Sequence, residues 1–442
     1  MMDAMRLRTR RAPGYTWVSV ACTAVAALTI YLLVSGLAFY GMAIVSLGVA
    51  AVAPRWLLLG GAIVLRFLLP DFTLGGQLIP SDLLLAAYIG RQLYRVAPTA
   101  PRVLQEPHVR WLLAFLMWAW LSMAVVGSWS TGLALGRITL YALVFIIATT
   151  DDEVGPPLLR LLTIYAVVEA IMGVGGITAR NGIRLLGSYG DPHQFGLLML
   201  TGLAGTVAFP RKVRFVLFPI LLLGLAGTFT RGLWLATAVG MLVMFVPHIG
   251  RRRLLLLAVA ASLLAVFLVL EPLITQRFEL DPGSSEFRVQ TIDLGLAQIQ
   301  AHPLFGVGWA VGTLHLSDEI QAPYNLWVNV AASTGVLGAI LFTVFLFLLA
   351  RALASSRAHA ARVGLVFLSG FLVLSLGEML LYANAPTSTI AFFILTGVGV
   401  AAARRNASQE GAFGPGGSEE ELIAREPLPA ESRIPGGPSE LR

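Results

Sequence analysis

Charge is what this sequence has least of. Only 12% of its 442 residues are Asp, Glu, Lys or Arg, while 57% are hydrophobic; an ordinary globular chain is about a quarter charged. So apolar a chain cannot hide its side chains in one aqueous core, which excludes a soluble cytosolic fold. Cysteine is almost missing too. Cys22 stands alone inside an apolar run, so no internal disulfide and no cysteine metal cluster is expected, and a secreted disulfide scaffold is excluded with them. Lysine is reduced to Lys212, the other thirty of the 31 basic residues being arginine. A GC-rich genome explains that bias, so only the positions of the arginines carry information. No internal repeat is visible, which weakens transporter architectures built from paired halves.

What the chain does have is long apolar runs. A helix needs about 20 such residues to cross the hydrocarbon layer, and that ruler finds about fourteen candidates. They lie near 16–35, 37–53, 56–70, 78–94, 110–127, 133–149, 157–177, 194–209, 213–228, 232–249, 253–271, 326–350, 362–381 and 386–403. The expected fold is therefore all-α: a polytopic integral membrane protein of about 12–14 transmembrane helices. Basic residues favour the cytoplasmic side of such proteins. With Arg6, Arg8, Arg10 and Arg11 inside, alternation also puts Arg91, Arg95, Arg211, Lys212, Arg251, Arg351 and Arg404 inside. Both termini then lie in the cytoplasm of a plasma membrane protein. Residues 1–403 form the membrane domain, and the Gly, Pro, Ser and Glu-rich stretch 404–442 is expected to be a disordered cytoplasmic tail.

Some arginines break this rule. Arg180, Arg184, Arg231, Arg277 and Arg288 fall on the outer side, and Arg66 and Arg137 sit inside spans near their outer ends. One arginine snorkelling or paired to a carboxylate such as Asp71, Glu279 or Glu286 is unremarkable. A group of them suits an anionic ligand, because a planar guanidinium binds phosphate through two hydrogen bonds. Glu169 and Glu378 are acids within spans, which are either functional or paired. The longest outer loop, 272–325, holds an expected amphipathic helix that begins at Ser284 or Ser285 and presents Phe287, Ile292, Leu296 and Ile299 on one face.

Three segments of this outer side resemble one family. "AHPLFGVGW" follows the helix of Arg288, and Tyr324-Asn325 is followed by nine residues and then Gly335-Val336-Leu337-Gly338. Upstream lie "GSYGDPHQFGLLML" from Gly187 and "LAGTFTRGLWLA" around Arg231. In this order the blocks resemble the O-antigen ligase and O-antigen polymerase superfamily of bacterial membrane glycan transferases, over roughly residues 185–345.

The resemblance implies a donor glycan linked to undecaprenyl pyrophosphate at the outer face of the bacterial inner membrane. A hydroxyl of a glycan or lipid acceptor attacks the anomeric carbon and the lipid pyrophosphate leaves. No cofactor, no metal and no nucleic acid is implied; the partners are donor, acceptor and membrane lipids. Arg231 and Arg288 carry over as pyrophosphate ligands, and Arg180 and Arg184 join them by position. The family has a histidine where this chain has Tyr324, and a phenol is a poor base at neutral pH. Tyr324 can still hydrogen-bond the acceptor or a phosphate, beside Asn325; His315, Asp318, Glu319 and His193 are the candidate bases, and Glu378 and Arg137 are further candidate site residues. Two other classes fit many spans and outer arginines: a transporter or flippase for lipid-linked sugars or another anion, and a non-catalytic membrane partner.

Overall fold

The computed structural model describes residues 48, 53–68, 80–127, 132–174, 179–180, 184–185, 191–228, 230–245, 283–309, 314–316, 319–321, 323–376 and 387–412. In chain order these form α1 (Arg55–Leu68), α2 (Pro80–Val96), α3 (Ala100–Leu104), α4 (Pro107–Val126), α5 (Gly132–Ala148) and α6 (Gly155–Val174). A two-residue ribbon follows, β1 (Ala179–Arg180) with β2 (Arg184–Leu185), and then α7 (Pro192–Gly205), α8 (Arg211–Ala226) and α9 (Arg231–Phe245). Next come α10 (Gly283–Ala301), a second small ribbon of β3 (Leu314–Leu316) and β4 (Glu319–Gln321), α11 (Leu326–Ala354), α12 (His359–Leu374) and α13 (Thr387–Ala412). The fold is all-α and polytopic as expected, with strands confined to the two ribbons among the described residues. Each described span lies within a few residues of its expected position. Those near 16–35, 37–53 and 253–271 fall outside the described residues.

Four helices are long and apolar enough to cross a membrane: α4, α6, α11 and the stretch Ser388–Ser408 of α13. Their surfaces explain why the solvent must be lipid. Met117, Leu121 and Val125 of α4 form an exposed row one turn apart, and Ile164, Val168 and Ile171 do the same on α6. The central element is α13. Its apolar window is 83% buried, against 33–44% for the other three, and it touches α1, α5, α7, α11 and α12. Small residues let it approach: a Cβ added at Gly397 would sit 2.9 Å from the Phe145 carbonyl oxygen.

Short connections make sequence neighbours antiparallel, so the helix ends gather in two layers. One layer, the basic end, collects Arg55, Arg91, Arg160, Arg211, Arg351 and Arg404. Ion pairs hold it: Arg55 with Asp151 and Glu153, Arg404 with Glu106, and Arg405 with Asp152. Burial lifts the Asp151 carboxyl above its usual pKa, against the pull of Arg55. The opposite layer, the loop end, collects both ribbons, α10, and the starts of α7, α9, α11 and α13. α13 runs through Arg404 and Arg405 to Ala412, so helix continues past residue 403; 413–442 lie outside the described residues.

Candidate functional site

The loop end is organised around a break in α11. Gly335 has φ 76°, outside the helical region, so the carbonyls one turn earlier lose their normal partners. Other groups take them over. The backbone N–H of Val307 donates to the Ala332 carbonyl at 2.8 Å and that of Gly308 to the Ser333 carbonyl at 3.0 Å. Trp118 Nε1 on α4 donates to the Thr334 carbonyl at 2.8 Å, and Val336 N–H returns a bond to the Pro303 carbonyl at 2.8 Å. Ser122 of α4 donates to the Phe305 carbonyl, while the Trp118 ring stacks on Phe305 with centroids 5.0 Å apart. The "FGVGW" half of the segment is thus seated against the bundle, with Gly306, Gly308 and Trp309 buried, while His302, Pro303 and Leu304 before it are exposed. A Cβ at Gly335 would overlap the Leu304 carbonyl, and one at Gly306 would lie 2.6 Å from the Ser333 carbonyl carbon. The glycines of the two sequence blocks are needed because backbone meets backbone there.

The same first turns of α11 hold α10. Tyr324 N–H donates to Thr291 Oγ1 at 3.4 Å, one turn along α10 from Arg288. Gly295 makes the approach possible, since a Cβ there would meet Pro323 Cγ at 2.8 Å. The side of α10 that meets α11 is a different one from the apolar row of Ile292, Leu296 and Ile299. Thr291 and Gly295 are buried, whereas Leu296 is 44% exposed, because close approach rather than apolar area decides the contact.

Asn325 caps α11: its Oδ1 accepts from Trp327 N–H at 3.0 Å and Val328 N–H at 3.1 Å. Its Nδ2 donates to the Leu376 carbonyl at 2.9 Å, and Leu326 N–H donates to the Ser375 carbonyl at 2.9 Å. The end of α12 is therefore tied to Tyr324-Asn325. Gly232, next to Arg231, lies against Leu374 near the end of α12; a Cβ there would sit 3.4 Å from Leu374 Cδ2. The start of α9, Tyr324-Asn325 and α10 with Arg288 are thus linked through direct contacts at one end of the bundle.

The remaining candidates join the same layer with less connection. Arg180 and Arg184 are paired across the β1–β2 ribbon, and Leu185 N–H donates to the Gly227 carbonyl at 2.9 Å, four residues before Arg231. His193 opens α7, half-buried, its N–H donating to Asp191 Oδ1 at 2.8 Å. Gln194 beside it accepts from Ser388 N–H at 2.9 Å, fastening α7 to the start of α13. His315 lies in β3 opposite Ile320. Glu378 falls outside the described residues.

Arg137 is engaged elsewhere in this layer. It is 9% exposed, and its Nε lies 3.3 Å from Asp82 Oδ2. Tyr141 donates to the other Asp82 oxygen at 2.9 Å. Asp82 is a partner that the sequence reading did not single out. Glu169, 1% exposed, accepts from Tyr165 at 2.7 Å one turn earlier in α6. Among the described residues no group of three His, Cys, Asp or Glu side chains could hold a metal ion.

Residues 216–343 match the family model described as O-antigen ligase. The match supports the O-antigen ligase and polymerase superfamily. The matched segment runs from within α8, through Arg231 and α10, to beyond the Gly335 break, and so contains most of this clamp of the 303–309 segment against α11. No curated protein matches the chain. Thr291, Trp118 and Ser122 were not legible as part of this assembly, and the last two lie outside the matched segment. Their only sequence signal is a polar or indole N–H group inside an apolar span, which must find a partner.

Proposed function

We propose that the chain transfers glycan from an undecaprenyl-pyrophosphate-linked donor to an acceptor hydroxyl, at the outer face of a bacterial plasma membrane. The family match supports glycan transfer of this general type. The observation that carries the finer reading is the linked assembly at the loop end, where the start of α9, the helix of Arg288 and Tyr324-Asn325 are held by one set of contacts. The opposite layer holds Arg55, Arg91, Arg211, Lys212, Arg351 and Arg404, which is the pattern of a cytoplasmic face. On this reading residues 1–403 are the membrane domain and 404–442 a cytoplasmic tail that begins helically.

The acceptor oxygen attacks the anomeric carbon as the bond from that carbon to the pyrophosphate oxygen breaks. The electron pair leaves on the lipid pyrophosphate, and the acceptor proton passes to a base. Arg231 and Arg288 hold the phosphates as their charge grows, since preorganised cations lower the barrier of such a step. Arg180 and Arg184 add to that field: two cations across a ribbon repel each other unless an anion offsets them. Tyr324 hydrogen-bonds the acceptor and His315 takes the proton. Asn325 positions rather than reacts, since both ends of its amide are engaged in holding α11 and α12.

Transfer is favoured over transport by what lies between the two layers. Phe115, Phe145, Phe342, Phe345, Phe392 and Phe393 pack edge-to-face or tilted across the middle of the bundle. Among the described residues, a polar route would have to pass that aromatic cluster. The test is a glycan gel from a deletion strain complemented with wild type, Arg231→Ala or Arg288→Ala. Wild type restores the missing glycan species and neither variant does so at equal protein level. Restoration by both variants would remove the proposed pyrophosphate ligands.

A further inference from the structure

Several basic side chains of the basic end have a partner. Arg55, Arg404 and Arg405 pair with Asp151, Glu153, Glu106 and Asp152, and Arg91, Arg160 and Arg214 donate to backbone carbonyls. At the corner where α11 turns into α12, two arginines share one cavity. Arg357 and Arg362 border one cavity of about 150 Å³ together with Ser355, Ser356, Val243 and Leu365, and among the described residues neither arginine has a carboxylate partner. No acid lines the cavity. Ser356 is buried, and its Oγ accepts from Ala358 N–H at 3.1 Å, which leaves its own hydrogen to donate. The opposite wall is apolar, made by Val243 near the end of α9 and Leu365 of α12.

We propose that this corner of α9, α11 and α12 is a binding site for the phosphate of an anionic phospholipid headgroup. Two guanidinium groups, which can only donate, and the free O–H of Ser356 select an occupant that accepts and carries negative charge. The cavity is bordered by apolar side chains of α9 and α12, Val243 and Leu365, which suits a phosphodiester whose acyl chains run along those helices. Basic pockets between transmembrane helices bind lipid headgroups in this way. The site is at the opposite end from the ligase assembly and does not depend on it.

The test uses the full chain purified in dodecyl maltoside, its thermal transition followed as dioleoyl-phosphatidylglycerol, dioleoyl-phosphatidylcholine or inorganic phosphate is added. Phosphatidylglycerol raises the transition of wild type and the other two do not. In R357Q/R362Q the lipid-free transition is unchanged, and the half-maximal phosphatidylglycerol concentration rises roughly tenfold or more. R211Q/K212Q, at the same end but away from the cavity, responds like wild type. If the double variant starts from a lower transition, Arg357→Glu alone decides, because Arg357 is exposed and its reversal leaves the fold intact. The proposal is overturned if the variants at 357 and 362 respond like wild type, or if R211Q/K212Q loses as much. It is overturned equally if inorganic phosphate alone reproduces the rise, since the ligand is then a free anion and not a lipid.

Discussion

Gly335→Ala isolates the clamp from everything else in the molecule. Gly335 adopts φ 76° with ψ 173°, a backbone region almost confined to glycine that costs an L-residue about 1–3 kcal/mol before any contact is considered. A Cβ there would overlap the Leu304 carbonyl and lie 2.9 Å from Phe305 N. These are backbone atoms and cannot rotate aside, so the 303–309 segment must lift. Lifting breaks the bonds of Val307 and Gly308 to α11 and that of Val336 to Pro303, each worth about 1 kcal/mol net. Strain and lost bonds together come to about 4–6 kcal/mol, an exceptional cost for one methyl group. Gly136→Ala is the control: nothing lies within 4 Å of its Cβ, and alanine in a helix gains about 0.5–1 kcal/mol over glycine. Thermal unfolding of the purified variants reads both. Gly335→Ala falls far below wild type and Gly136→Ala equals or exceeds it. A Gly335→Ala protein within about 0.5 kcal/mol of wild type would refute the reasoning that backbone crowding fixes this residue.

Removing one partner of a buried ion pair leaves a lone charge, so Asp82→Asn costs about 3–5 kcal/mol in the same assay. The double change Asp82→Leu with Arg137→Met costs less than either single change, which a double-mutant cycle measures. Trp118→Phe keeps a ring over Phe305 but loses the donor to the Thr334 carbonyl, and lowers stability by about 1–3 kcal/mol. Asn325→Ala loses the cap of α11 and costs about 1–2 kcal/mol; Asn325→Asp keeps the cap but not the bond to Leu376, and unfolds between alanine and wild type.

Much of the fold was legible because one force dominates it. Runs such as "ALVFIIA" in α5 or "FFILTGVGV" in α13 cannot be anything but membrane or core, and spacing alone locates them. The site was legible as sequence blocks but not as geometry. Gly335 and Gly306 could be read as glycines of a motif, yet the reason for them is a contact between segments about thirty residues apart in sequence. α10 shows the limit of periodicity: Leu296 fits an apolar face on paper, but a buried Thr291 and a close approach at Gly295 decide which side packs. Arg137 illustrates the same point for charge. Its partner Asp82 lies in another helix, and no local pattern links residues 55 positions apart.

Turnover by the purified chain is the most direct test of glycan transfer at the loop end. The protein is reconstituted in liposomes with an undecaprenyl-pyrophosphate-linked oligosaccharide and a glycan acceptor, and release of lipid pyrophosphate is measured against formation of the longer glycan. Equal amounts of both products are predicted from wild type, and Arg231→Gln and Arg288→Gln each slow turnover by about 10²-fold or more with the fold intact. Undiminished turnover in both variants, or pyrophosphate release without a new glycosidic bond, would contradict it.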